Sequence, residues 1–156
     1  MMSSAEGEVD VSREEQAAAS VGGDGAAQLT DAEHAVLDLI DGFNRIDLDA
    51  ILRCFADDAV YHNLPVDPVK GERAIRGVLE GFMTAASEVR WELLNMAVSP
   101  SGAVLTERID RFKINNRWIA LPVMGTFEVT DGLITHWRDY FDMAQFTSQV
   151  EATRHE

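Results

Sequence analysis

In the segment LTERIDRF, successive side chains of a strand point to opposite sides, so Thr106, Arg108, Asp110 and Phe112 share one face. Glu107, Ile109 and Arg111 share the other, which leaves an apolar residue among charges and two charges beside a phenylalanine. If the Phe112 face is the interior, an arginine and an aspartate have been taken out of water. Such groups are kept only when matched to each other, in a structural pair or in a reactive one. The segment ITHWRDYFD repeats the anomaly, because Trp137, Asp139 and Phe141 share a face and an acid lies between two aromatics. Upstream, Tyr61 and Asn63 flank His62 and share a face, offering a phenol and an amide that can hold one water from two directions. By itself that Y-x-N spacing also fits a satisfied strand end.

Taken together, these residues supply two carboxyls, a guanidinium whose forked donors can bridge them, and two neutral groups for positioning water. That set is suited to hydrolysis. No Gly-rich phosphate loop, dinucleotide fingerprint or nucleophile elbow is present. His62 and His136 face away from the water site, His34 lies on an early helix and His155 in the tail, so no metal and no cofactor is expected. Cys54, Met83, Met96 and Met124 read as packing residues.

The elements that must position these groups follow from periodicity. Thr30 and Glu33 have the form of a capping box ahead of Val36, Leu37, Ile40 and Phe43 at helical spacing. The segment DLDAILRCFADDA repeats the helical signal with Leu48, Ile51, Leu52 and Phe55, and a third helix is expected from Gly71 to about Ala86. Between them, VYHNLPVDPVKG begins as a strand and ends as a proline-broken loop. From Val89 the texture changes to four strands, VRWELLNMAVS, GAVLTERIDRFKI, RWIALPVMGTFEVT and LITHWRDYFDM, separated by Ser-Pro-Ser-Gly, Asn-Asn and Thr-Asp-Gly. Helices followed by an antiparallel meander indicate an α+β domain. Residues 1–28 are rich in Ala, Gly, Ser and acid and read as a disordered leader, residues 29–150 as the catalytic domain, and residues 151–156 as a flexible tail.

A chain of 156 residues, 46% hydrophobic and 26% charged, has the balance of one globular domain. Its net charge of −14 argues against nucleic acid or anionic lipid as partners and favours a small neutral ligand. The single cysteine permits no internal disulfide, and no apolar run is long enough to span a bilayer, so a cytoplasmic protein is expected.

The stretches VYHNLP, LTERID and ITHWRDYFD together resemble the limonene-1,2-epoxide hydrolases, a likeness that runs from about Leu29 to Phe146. The resemblance implies a cone-shaped, curved mixed sheet with N-terminal helices around a deep pocket, as in nuclear transport factor 2-like and SnoaL-like proteins. It also implies roles: Tyr61, Asn63 and Asp139 hold water, Asp110 protonates the oxirane oxygen, and Arg108 binds both acids. Epoxide opening needs a nucleophile and a proton donor at once, which assigns Asp139 as base and Asp110 as acid, titrating as a coupled pair. Water would attack directly, with no aspartyl ester. The pocket wall expected from the family and from residues sharing faces with the acids comprises Ile40, Phe43, Phe82, Leu121, Val123, Phe141 and Phe146, each equally compatible with core packing. The implied partners are a small apolar epoxide, cyclic or terpenoid, and a second copy of the chain, with Trp118 or Tyr140 on an exposed sheet face contributing to a homodimer.

Other readings stay open on this fold. An isomerase, dehydratase or polyketide cyclase would abstract a proton from carbon, yet needs no combination of Y-x-N, R-x-D and a final aspartate. A hydrophobic-ligand carrier has little reason to bury two acids and an arginine. A glycosidase also uses two carboxyls, but its site would be lined by polar groups.

Overall fold

The computed structural model describes residues 27–154. Residues 1–26 of the expected leader, and His155 and Glu156 of the expected tail, lie outside the described residues.

Helix α1 spans Asp31–Asn44 and starts with the expected capping box: the Thr30 side chain accepts from Glu33 N, and the Glu33 carboxylate accepts from Thr30 N at 2.7 Å. Its inward face carries Val36, Leu39, Ile40 and Phe43. Helix α2 spans only Leu48–Leu52, whereas the apolar spacing suggested a helix running on past Phe55. Phe55 instead opens strand β1, Phe55–Asn63, where it pairs with Ile134, and Ile134 N donates to Cys54 O at 2.8 Å. A sheet partner outbids a short helical signal because one more helical turn adds few bonds. Strand β2, Val69–Lys70, closes back on β1, and helix α3, Glu72–Ala85, matches its expected span to within a residue at each end.

Strands β3 (Glu88–Val98), β4 (Val104–Ile114), β5 (Arg117–Thr130) and β6 (Leu133–Tyr140) form the expected meander. The β4–β5 hairpin turns on Asn115 and Asn116, and the β5–β6 hairpin on Asp131 and Gly132, all with positive φ as tight two-residue hairpins require. The sheet order is β2-β1-β6-β5-β4-β3, and β1 runs parallel to β6 while the other neighbours are antiparallel. Register shifts in β1, in β3 between Leu93 and Asn95, and in β5 between Glu128 and Val129 supply the irregularities that curve such a sheet. The fold is α+β, with a curved, open, mixed sheet and helices, as expected.

Helix α4 spans Met143–Ala152, a segment for which apolar spacing predicts no element. Asp142 caps it, accepting from Ala144 N and Gln145 N, but none of its residues is buried, so its apolar periodicity is weak. The helix continues through Ala152, past the boundary expected at residue 150. The Gln149 side chain bonds both the N–H and the C=O of Ala120, each at 2.9 Å, and Arg117 Nη1 donates to Ala152 O at 3.3 Å.

Candidate active site

The inner face of the sheet carries a line of side chains set by register. Asn63 on β1 pairs with Asp139 on β6, Asp139 with Gly125 on β5, and Gly125 with Thr106 on β4. One pair of residues along, Arg108 and Asp110 follow on β4, with Asp110 opposite Trp91 of β3. The expected alternation holds: Thr106, Arg108, Asp110 and Phe112 are all buried. Arg108 is 0% exposed, so its charge has no water to rely on and its partners must lie within the protein.

Those partners engage all three nitrogens of the guanidinium. Arg108 Nε and Nη2 donate to the two oxygens of Asp110 at 3.0 and 2.9 Å, and Nη2 also donates to Asp139 Oδ2 at 2.8 Å. Nη1 donates to Thr106 Oγ1 at 2.9 Å, and the Trp91 ring lies over the guanidinium carbon at 4.6 Å. Asp139 is fixed from its other side by the indole of Trp137, whose Nε1 donates to Oδ1 at 2.7 Å. Trp137 is itself packed among aromatic rings, stacked on Tyr61 at 4.2 Å and on Phe127 at 5.5 Å.

Gly125 makes the bridge possible. A Cβ built there would lie 2.5 Å from Arg108 Nη1, 2.7 Å from Thr106 Oγ1 and 2.8 Å from Asp139 Oδ1. Arg108 therefore reaches from β4 to β6 through space that β5 leaves empty, the close approach for which a strand-interior glycine is used.

Electrostatics differ among these groups. Burial works against the charge of Arg108, but Asp139 and Asp110 more than offset it and hold the guanidinium protonated. Burial raises the pKa of Asp110 to about 6, against the pull of Arg108 and with help from the Asp139 charge. Burial also pushes the Tyr61 phenol upward, so it stays neutral. Tyr61 and Asn63 contact each other, the hydroxyl donating to Oδ1 at 3.1 Å and Nδ2 donating to the hydroxyl oxygen at 2.8 Å. Outside the site, burial lifts the Cys54 thiol to about 11, in keeping with a packing residue.

Tyr61, Asn63, Asp110 and Asp139 open onto one cavity of about 160 Å³. Of the seven apolar residues expected in its wall, Phe43, Phe82, Leu121, Val123, Phe141 and Phe146 line it. Ile40 does not: it lies one helical turn before Phe43 and packs into the core instead. Trp91, Leu79 and Met143 line the cavity without having been singled out, and the half-exposed Val66 and Val78 stand at its rim. Period-two reading of β3 could have found Trp91, but only the β3–β4 register places it opposite Asp110. Among the described residues, no three His, Cys, Asp or Glu side chains group as a metal site, and no helix is long and apolar enough to cross a membrane.

Comparison with known proteins agrees with this geometry. Residues 30–152 match the family described as the limonene-1,2-epoxide hydrolase catalytic domain. Epoxide hydrolase EphG of Mycobacterium tuberculosis (strain ATCC 25618 / H37Rv) is 34% identical over 110 residues, 70% of this chain and 72% of EphG. The structure of an M. tuberculosis LEH-like epoxide hydrolase superposes with a TM-score of 0.68 at 30% identity, covering 80% of this chain and 92% of that one. A candidate SnoaL-like polyketide cyclase of Shewanella denitrificans OS-217 superposes as well, with a TM-score of 0.69 over 78% of this chain and 97% of its own, but at 15% identity it shares the fold alone. With two buried acids on one guanidinium, and with both the family match and a relative of known class spanning most of the ordered elements, this chain belongs to the limonene-1,2-epoxide hydrolase family.

Proposed function

We propose that the protein hydrolyses a small apolar epoxide, cyclic or terpenoid, to a vicinal diol by one-step attack of water. The observation that carries this reading is the sharing of Arg108 between Asp110 and Asp139, with Asp110 raised to about 6 and therefore able to hold a proton near neutral pH.

A water has two hydrogens and two lone pairs. Asp139 and the Asn63 carbonyl take the hydrogens and the Tyr61 hydroxyl donates to one lone pair, which leaves the other for attack. The Tyr61–Asn63 contact at 3.1 Å is the one such a water replaces. As the water oxygen bonds to an epoxide carbon, its proton passes to Asp139, the carbon–oxygen bond breaks, and the departing oxygen takes the proton of Asp110. Negative charge moves from Asp139 to Asp110 while Arg108 stays bonded to both, so the total charge beneath the substrate is constant. The proton gained by Asp139 then returns to Asp110 to reset the pair. The wall of Phe43, Phe82, Leu121, Val123, Phe141 and Phe146 favours an apolar substrate, and no step calls on a cofactor. A cytoplasmic homodimer is part of the same proposal, with the exposed Trp118 and Tyr140 on the outer sheet face as its contact.

The test is chiral gas chromatography of diols formed from limonene oxide, cyclohexene oxide and styrene oxide in heavy-oxygen water, under single-turnover conditions, beside Asp139→Asn. The expected result is a labelled diol from the wild type and none from the variant. Unlabelled diol in the first turnover would indicate an aspartyl ester, and no diol from any epoxide would overturn the reading.

A further inference from the structure

The cavity at the acids, about 160 Å³, falls below the roughly 300–1,000 Å³ of pockets that enclose larger ligands. That size suits a compact ring or a short chain. Its wall is shared with another space. Val78 and Phe82 of α3 and Phe146 of α4 line the acid cavity and also a groove of about 600 Å³ between the two helices.

Beyond those three residues the groove is lined by Gly81, Ala85, Ile114 and Val150 and by polar groups that include Asn115 and Arg154. Two features keep it open. None of the α4 residues is buried, and the side-chain bonds that hold the helix run to β5 and the β4–β5 turn, from Gln149 to Ala120, from Arg117 to Ala152 and from Asn115 to Thr153. Gly81 lies in the interior of α3, where glycine is a poor helix former, yet a Cβ there would meet nothing within 4 Å. Packing does not demand that glycine, and its effect is to leave the groove unfilled.

We propose that the α3–α4 groove is a second subsite that takes the linear aliphatic chain of an epoxide whose oxirane sits at Asp110 and Asp139, the chain passing between Phe82 and Phe146. This assignment rests on the hydrolase reading above. Continuity through three shared residues names the occupant, because a chain leaving the acid cavity past Phe82 and Phe146 meets Ala85, Ile114 and Val150, with Asn115 and Arg154 also in the groove's lining. A molecule confined to the inner cavity gains nothing from it.

Linear terminal epoxides from epoxybutane to epoxydecane test the assignment. For the wild type, kcat/KM should keep rising beyond the length that fills the inner cavity, by up to about fourfold per methylene buried. Gly81→Leu puts a branched side chain into the groove from a position that does not line the inner cavity, and leucine suits the helix better than glycine. The ratio of kcat/KM for epoxydecane to that for epoxybutane should fall at least about tenfold in this variant. A wild-type series that levels off at its short members, or a ratio unmoved in a folded Gly81→Leu protein, overturns the subsite. Calorimetric binding of linear alkanols of the same lengths to both proteins separates the two readings. Length-dependent binding by a protein that opens no epoxide keeps the groove and sinks the hydrolase reading, whereas short epoxides turned over with no gain from length do the reverse.

Discussion

The indole N–H of Trp137 and the carboxylate of Asp139 are joined by a 2.7 Å hydrogen bond between residues two apart on β6. Both side chains point to the same face of the sheet, and the bond leaves Asp139 with one oxygen committed to Trp137 and the other to Arg108. A carboxylate held at both ends cannot rotate away from a water bound beside it. The same indole is stacked on Tyr61, so one aromatic ring sets the position of two of the proposed water-holding groups.

Trp137→Phe keeps much of the ring and removes the donor. Losing a hydrogen bond to a charged group costs about 1.5–3 kcal/mol. If most of that loss falls on the reaction, kcat should drop by roughly tenfold to a hundredfold with KM little changed. Steady-state kinetics beside thermal unfolding will show whether the loss lies in turnover or only in stability.

Arg108→Lys retains a charge but not the forked donors that reach Asp110 through two nitrogens and Asp139 through one of them. Activity should fall by at least about a hundredfold. Arg108→Ala leaves two buried acids without their cation and should cost about 3–5 kcal/mol of stability. Denaturant titration measures the second effect, and a folded Arg108→Ala protein with full activity would refute the bridging role.

Gly125→Ala is the smallest change expected to break the array. The added methyl would collide with Arg108, Thr106 and Asp139 together, and crowding of this kind costs about 1–3 kcal/mol. Turnover should be lost out of proportion to stability, because the displaced atoms include the proposed base Asp139 and the Arg108 that bridges it to Asp110. A crystal structure of the variant, read beside its kcat, will show whether the Arg108–Asp139 contact is gone.

Stability should depend on pH through Asp110. Its pKa is raised on folding, from 3.8 to about 6, so between those values the folded protein binds more protons than the unfolded chain. Its contribution is therefore most favourable below about 3.8 and is lost as pH rises through about 6. The difference in unfolding free energy between wild type and Asp110→Asn, measured across that window, should decline with pH and then level off. If the proton on Asp110 is the one delivered to the oxirane, kcat/KM should also fall as pH rises through the same value.

Local patterns carried much of the architecture. The capping box at Thr30 and Glu33, the α3 span and the paired asparagines of the β4–β5 hairpin are interactions between near neighbours, so their signals stand in the order of residues. Strand alternation was enough to place Arg108, Asp110 and Asp139 on inner faces, because a period of two leaves no other choice once Phe112 and Trp137 are inside. The end of α2 and the presence of α4 were not visible in the same way. The first is decided by pairing with Ile134, and the second is held by side-chain bonds to residues about thirty or more positions earlier, such as Gln149 to Ala120 and Arg117 to Ala152.

For the site itself, the residue types and local spacing determined which groups could act: two acids, an arginine, a phenol and an amide. Only the tertiary structure decided how they meet. The parallel β1–β6 register brings Asn63 beside Asp139, and the vacancy at Gly125 lets one guanidinium cross a strand. It also moved Ile40 into the core and brought Trp91 over Arg108. Period and propensity act between residues a few positions apart, whereas register and close approach are settled by segments far apart in the chain packing against one another.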